Sequence, residues 1–316
     1  MDGDEIECED GAAGAARALA DGVWMIDLGF QGRRGGVVAF LLAAGDDVAL
    51  IETGPTSTLP ALRAGIRAAG FDPRQVSRLL VTHIHLDHAG AAGVLVRELP
   101  DVVVHVHPVG APHLIDPSRL LASAGRLYGD RMDTLWGEVA PVPPDRVATL
   151  DDGETLAVAG RMLTAIFTPG HASHHVAFWD ATAAAAYTGD VGGVRMAGTG
   201  YVCPPAPPPD LDPDAWASSV ARLRALGARR LYLTHGGPFD DVEDHLDQLM
   251  PNLAALRDLA ASALRAGVDQ TALTALIHDH MAAQLGDAPP SALKNLEWAT
   301  PSYLASAGLS RLLRTK

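Results

Sequence analysis

The chain has 316 residues, of which 48% are apolar and 20% charged, enough to bury a large core in one domain or in a domain with an extension. Its formal net charge of −14 argues against a nucleic-acid partner and against an anionic membrane surface. Two cysteines, Cys8 and Cys203, cannot build a disulfide framework, the acidic start lacks the features of a signal peptide, and no stretch approaches the roughly 18 apolar residues a bilayer span needs. The expectation is a soluble cytoplasmic protein whose partner is a small-molecule substrate.

Residues 1–20 are acidic and then rich in Ala and Gly, so a loosely ordered lead-in is expected. Three apolar runs at 22–28, 36–43 and 47–52, separated by glycine turns, predict an antiparallel meander. The loop 29–35 between the first two is long enough to overhang a site. Leu59, Leu62 and Ile66 fall at helical spacing within 57–69, with Gly70 where a C-cap belongs. A buried strand over 76–82 precedes an Ala-rich helix over 89–99 and a strand over 101–106. Residues 112–136 read as a helical insertion. Strands are expected at 161–168, 175–179 and 183–188, a proline-rich extended loop at 204–213, a helix at 214–226 and a short strand at 230–234. From about residue 240, leucines at three- and four-residue steps predict a long amphipathic helix, and more helix follows. This divides the chain into a lead-in (1–20), a catalytic domain (21–240) and a helical extension (241–316) that serves as a lid or as the interface of a homodimer.

The densest chemical signal is Thr82-His83-Ile84-His85-Leu86-Asp87-His88. Three imidazoles and a carboxylate in six positions suit zinc or a first-row neighbour, and they lie where a strand passes into a helix, a usual place for sites in open α/β folds. Further candidates follow apolar runs and are held by Gly or Pro: His171 in Thr-Pro-Gly-His, Asp190 in Thr-Gly-Asp, His235 in Thr-His-Gly-Gly, and Glu52 in Ile-Glu-Thr-Gly. Strand ends meeting on one edge would bring them to the first cluster. A closed structural zinc site would favour four ligands, often Cys, so seven ligands without Cys, the weaker Glu52 set aside, fit two open metal positions better.

This pattern resembles the metallo-β-lactamase superfamily of dinuclear metal hydrolases, in its glyoxalase II-like and lactonase-like branch. The resemblance covers roughly residues 20–240. It rests on His83-x-His85-x-Asp87-His88 followed in order by His171, Asp190 and His235. It implies an α/β fold, an αββα sandwich of two mixed β-sheets flanked by helices, here with a C-terminal helical extension. It implies two divalent metal ions, zinc first, with iron or manganese as alternatives. One ion would take His83, His85 and His171, the other Asp87, His88 and His235, with Asp190 bridging. A metal-bridging hydroxide would attack a small ester, thioester or lactone, and Asp87 would also orient it as the catalytic carboxylate. Relatives often carry Asp where Glu52 stands, and this position and His175 are expected to support the ligands. A phosphodiester is the alternative substrate on the same site. An iron-dependent persulfide dioxygenase-like oxidoreductase is the rival, disfavoured by the complete second ligand set, and a non-catalytic scaffold is a third reading.

Tyr128, Met132, Trp136 and Tyr201 are candidates for the substrate pocket: the first three as an amphipathic wall in the insertion, Tyr201 as a group reaching a substrate oxyanion. His174 stands between surface and pocket, and His245 is read as a helix-surface residue.

Overall fold

The computed structural model describes residues 13–20 and 22–314. A seven-stranded sheet runs in the order β1 (Ala16–Ala20), β2 (Val23–Asp27), β3 (Val38–Ala44), β4 (Asp47–Ile51), β5 (Val76–Leu80), β6 (Val103–Val106), β7 (Val147–Thr149). Its first four strands pair antiparallel, as the closely spaced glycine turns predict, and the last four pair parallel through helical crossovers. The second, six-stranded sheet contains β8 (Thr155–Val158), β9 (Arg161–Phe167), β10 (Val176–Asp180), β11 (Ala185–Tyr187), β12 (Arg230–Leu233) and β13 (Gly237–Phe239). It is also mixed, with one parallel pairing between β11 and β12.

Alternation along the strands builds three apolar layers. In β3, Val38, Phe40 and Leu42 face the second sheet and meet Val176, Phe178, Tyr187 and Tyr232, while Ala39, Leu41 and Ala43 face the helices. On that outer side lie α1 (Leu59–Ala68), which buries the Leu59, Leu62 and Ile66 stripe, α2 (Leu86–Ala89) and α3 (Ala92–Glu98). The insertion forms α4 (Ala111–Ile115), α5 (Ser118–Tyr128) and α6 (Met132–Trp136). The outer face of the second sheet is covered by α7 (Pro213–Ala225), α8 (Val242–Arg265) and α9 (Gln270–Leu285), and the chain continues through α10 (Pro290–Ala299) to α11 (Ser302–Arg314). The architecture is thus two mixed sheets with flanking helices and a C-terminal helical segment.

Three expectations change. Within the lead-in, Ala16–Ala20 is an edge strand in register with β2, fixed by pairing that its alanines do not advertise; residues 1–12 lie outside the described residues. The single helix over 89–99 is two pieces, α2 and α3, so Asp87 and His88 sit in a helical turn and not in a loop. The helix from 242 is a layer of the sandwich: Leu246, Leu249, Leu253 and Leu256 bury themselves in the cluster that holds Trp216, Leu231 and Leu233. A chain ending at residue 240 would expose that face, and at about 1.5–3 kcal/mol per large apolar side chain the loss exceeds what a domain can spare. We expect such a chain to aggregate or to melt without a cooperative transition, which light scattering and calorimetry would read. An intact cooperative transition would contradict the packing role.

Candidate metal centre

The ligand candidates stand at the ends of strands from both sheets. β5 leads into Thr82–His88, β9 into His171, β11 into Asp190 and β12 into His235. Three overlapping groups have ligand atoms within 4.8 Å of one another: His83, His85 and His171; His83, His88 and Asp190; Asp87, His88 and His235. Asp190 lies between the two sets. Its Oδ2 is 3.2 Å from His171 Nε2, and its Oδ1 is 3.3 Å from His88 Nε2 and 3.2 Å from His235 Nε2. Asp87 Oδ2 approaches His235 Nε2 at 3.5 Å and His88 Nε2 at 3.7 Å.

The hydrogen bonds behind the rings set their tautomers. His171 Nδ1–H donates to the Pro205 carbonyl (2.9 Å) and His235 Nδ1–H to the Gly36 carbonyl (2.5 Å). His88 Nδ1–H donates to Glu52 Oε1 (2.9 Å). The Thr82 hydroxyl donates to Glu52 (2.5 Å), so at its 3.0 Å contact with His83 it accepts from His83 Nδ1–H. All four rings therefore turn Nε2 inward, the face a metal-holding imidazole presents. His83 Nε2 and His171 Nε2 stand 2.9 and 3.0 Å from His85 Nδ1. Three ring nitrogens thus converge within reach of a single cation.

Burial sharpens the requirement. His88 Nε2, His235 Nε2 and Asp190 Oδ1 are buried and lack any hydrogen-bond partner, which is costly for polar atoms. Burial, with the neighbouring rings, pushes His83 and His85 well below the ordinary histidine value. Burial also opposes charge on His88, but the carboxylates of Asp190, Glu52 and Asp87 outweigh it and hold that ring well above the ordinary value. Asp190 is held well below the usual carboxylate range: burial works against ionisation, and His88, His235 and His171 overcome it. Inward-facing imidazoles, the Asp190 carboxylate and orphaned buried atoms together form a donor set that fits divalent cations.

Glu52 and His175 support this centre from behind. Glu52 is fully buried and accepts from the Thr82 amide (3.2 Å), the Thr82 and Thr234 hydroxyls (2.5 and 3.2 Å) and His88. Its φ of 68° is a left-handed conformation that a non-glycine residue keeps only when its surroundings enforce it. His175 Nε2 accepts from the backbone N–H groups of Asp190 (3.1 Å) and Val191 (3.3 Å), so its Nδ1–H donates to Thr168 Oγ1 (2.8 Å). Two further clamps were not legible in the sequence. Trp216 Nε1–H donates to the Val191 carbonyl (2.8 Å), and His245 Nε2–H donates to the Gly192 carbonyl (2.7 Å). His245 is thus fully buried, not on a helix surface, because its ring reaches inward from α8 to that carbonyl. Gly189, with φ 48°, makes the turn possible: a Cβ there would lie 2.5 Å from Thr82 Oγ1.

A cavity of about 290 Å³ opens beside His85, Asp87, His171 and Asp190. Its walls come from both the insertion and the C-terminal helices: Leu120, Tyr128 and Trp136 on one side, Trp298, Tyr303 and Leu304 on the other, with prolines 205 and 207–209 between. Trp136 stacks on Phe30 (centroids 5.4 Å apart) and meets Tyr128 edge-on (5.0 Å). Phe30 belongs to the 29–35 loop, so that loop does overhang the site, held by the Asp27 carboxylate on the Gly29 and Gly35 amides. Two pocket candidates fall elsewhere. Met132 packs into the core of the first sheet and its helices. Tyr201 is buried in the core of the second sheet with its hydroxyl near the Cys203 thiol, because the Val194–Cys203 bridge folds the segment inward. His174 is buried, its ring 5.9 Å from that of His85.

The sequence profile described as the metallo-beta-lactamase superfamily matches residues 32–235, well over half of the chain. The protein belongs to the metallo-β-lactamase superfamily. It is 27% identical over 214 residues to an atrochrysone carboxyl ACP thioesterase of Aspergillus fumigatus; the match covers 67% of this chain and only 55% of that enzyme. Among solved structures it is similar to the metallo-beta-lactamase family protein TTHA1429 of Thermus thermophilus, with a TM-score of 0.67, 24% identity and coverage of 94% and 95% of the two chains. It is also similar to TTHA1623, described in a di-iron-bound form, with a TM-score of 0.50, 27% identity and coverage of 67% and 93%. No helix among the described residues is long and apolar enough to cross a membrane.

Proposed function

We propose that the protein is a dinuclear metal-dependent hydrolase of small esters, thioesters or lactones. The observation that carries this reading is the inward convergence of ring nitrogens and two carboxylates, with buried partnerless atoms among them, on the floor of an apolar cavity. His83, His85 and His171 would hold one cation, Asp87, His88 and His235 the other, and Asp190 would touch both. When bound, such cations lower the pKa of water toward about 7 and polarise a carbonyl oxygen. The protein's own part is to fix the donors through Glu52, His175, Trp216 and His245, and to offer Asp87, with its side chain 21% exposed, as a hydrogen-bond acceptor that orients the attacking water. The apolar walls would bind the acyl portion and exclude solvent. The thioesterase named among the similar proteins supports acyl transfer to water as the reaction class, and the di-iron form of TTHA1623 supports iron beside zinc as a candidate metal.

The test pairs elemental analysis of protein produced with zinc, manganese and iron in excess with a panel of esters, thioesters, lactones, phosphodiesters and β-lactams. Expected are two ions per chain and chelator-sensitive turnover of an acyl substrate. Protein that binds no ion would overturn the proposal, and turnover confined to phosphodiesters would change the substrate class. The wall itself can be probed with Trp136→Ala. Loss of a buried aromatic costs about 3–5 kcal/mol. If the ring lines the acyl path, KM should also shift unequally across a series of acyl chain lengths, whereas uniform kinetics in the surviving fold would assign it to packing alone.

A further inference from the structure

The cavity wall carries one arginine, Arg131, at the start of α6. In this acidic chain many arginines are paired with a carboxylate, among them Arg97 with Glu138, Arg195 with Asp241, Arg222 with Asp152 and Arg230 with Asp240. Arg131 differs. Its polar partner among the described residues is the neutral Tyr303 hydroxyl, 3.2 Å from Nη2, and its guanidinium lies 5.8 Å from the centre of the Tyr303 ring. Tyr303 comes from α11, so two distant segments of the chain meet to steady this cation on the cavity wall. The other charged groups of the lining are Asp87 and Asp190, which belong to the metal centre, and Glu297, whose Oε2 accepts from the Ser302 amide and hydroxyl. Tyr128 connects the two ends: burial and Asp87 push its hydroxyl up, while Arg131 pulls it down, so it lies in the field of both. The cavity therefore runs from the candidate metal centre, past aromatic walls, to a guanidinium with no paired carboxylate among the described residues.

We propose that Arg131, steadied by Tyr303, is a specificity-determining residue that binds a carboxylate at the far end of an apolar acyl chain whose carbonyl lies at the Asp190 centre. This rests on the hydrolase reading above for the reaction, but not for the binding. A guanidinium presents paired N–H donors that match a carboxylate, and a partly apolar wall lowers the cost of bringing the two together. A neutral acyl chain of equal length would fill the same space without that pairing.

The test separates binding from turnover. Trp136 and Trp298 line the cavity, so tryptophan fluorescence of the metal-loaded protein reports occupancy. The probes are 4-oxo-4-phenylbutanoate, 6-oxo-6-phenylhexanoate and 8-oxo-8-phenyloctanoate, ketones with no ester bond to cleave, each against the phenyl ketone of equal chain length that ends in methyl. At one length the acid should bind about five- to tenfold more tightly than its neutral pair, as a charge-assisted pair at a partly exposed site allows. Arg131→Gln should abolish that ratio and Arg131→Lys should restore part of it; Arg131 is exposed, so neither change threatens the fold. Equal binding of acid and neutral ketones at all three lengths, or a preference that persists in Arg131→Gln, would overturn the proposal. The monophenyl esters of succinic, adipic and suberic acids, against phenyl butyrate, hexanoate and octanoate, then test the reaction. A binding preference with no ester turnover would count against the hydrolase reading alone.

Discussion

Asp190→Ala should lose bound metal and hydrolysis together, each by more than about 100-fold, since deleting even a supporting contact behind a ligand costs about 10–100-fold. The reason is position. Each oxygen of this carboxylate faces a different histidine set at 3.2–3.3 Å, and its charge is the one that both sets share. Two cations held close together repel, and a carboxylate between them offsets part of that repulsion. Asp190→Asn separates charge from shape: it keeps the side chain's volume and should still fall well below wild type in metal content. Elemental analysis and the rise in melting temperature on adding metal are the readouts. Unchanged stoichiometry in Asp190→Ala would end the bridging role.

The second large effect concerns Glu52. Its carboxylate accepts from the Thr82 amide, two threonine hydroxyls and His88, all buried. Glu52→Ala strands four donors at once. Leaving a buried donor unsatisfied costs about 1–3 kcal/mol, and the sum is a large share of the 5–15 kcal/mol that stabilises an ordinary domain. We expect a lowered denaturation midpoint, or no folded protein at all. Glu52→Gln keeps the shape but turns one acceptor oxygen into an NH₂ group facing other donors. It should fold, with metal affinity reduced about 10–100-fold as His88 loses its fixed tautomer. A wild-type midpoint and wild-type metal affinity in Glu52→Gln would show that this carboxylate does not position the ring.

The ligand candidates were legible because each is a chemically distinctive residue placed where an apolar run stops at Gly or Pro. The meander and the leucine-rich helix were legible because their apolar periods are regular. What escaped had no local signature. β7, β8 and β13 are three or four residues long, too short to show alternation, and β1 is largely alanine, so pairing alone defines them. His245 was hidden in a helix whose pattern marks only its apolar face. Tyr201 was misread because its direction is set by a single bridge between Val194 and Cys203. The cavity depends on contacts such as Arg131 with Tyr303, 172 residues apart, which no window of sequence contains.

The origin of the cavity walls bears on how this chain can be diversified. The cation donors hang from strand ends braced by both sheets, whereas the surface a substrate would brush against is drawn from α5, α6 and the α10–α11 junction. If the proposed hydrolase reading holds, mutagenesis libraries confined to those helical codons should retune which acyl or leaving groups fit while the ionic floor stays intact.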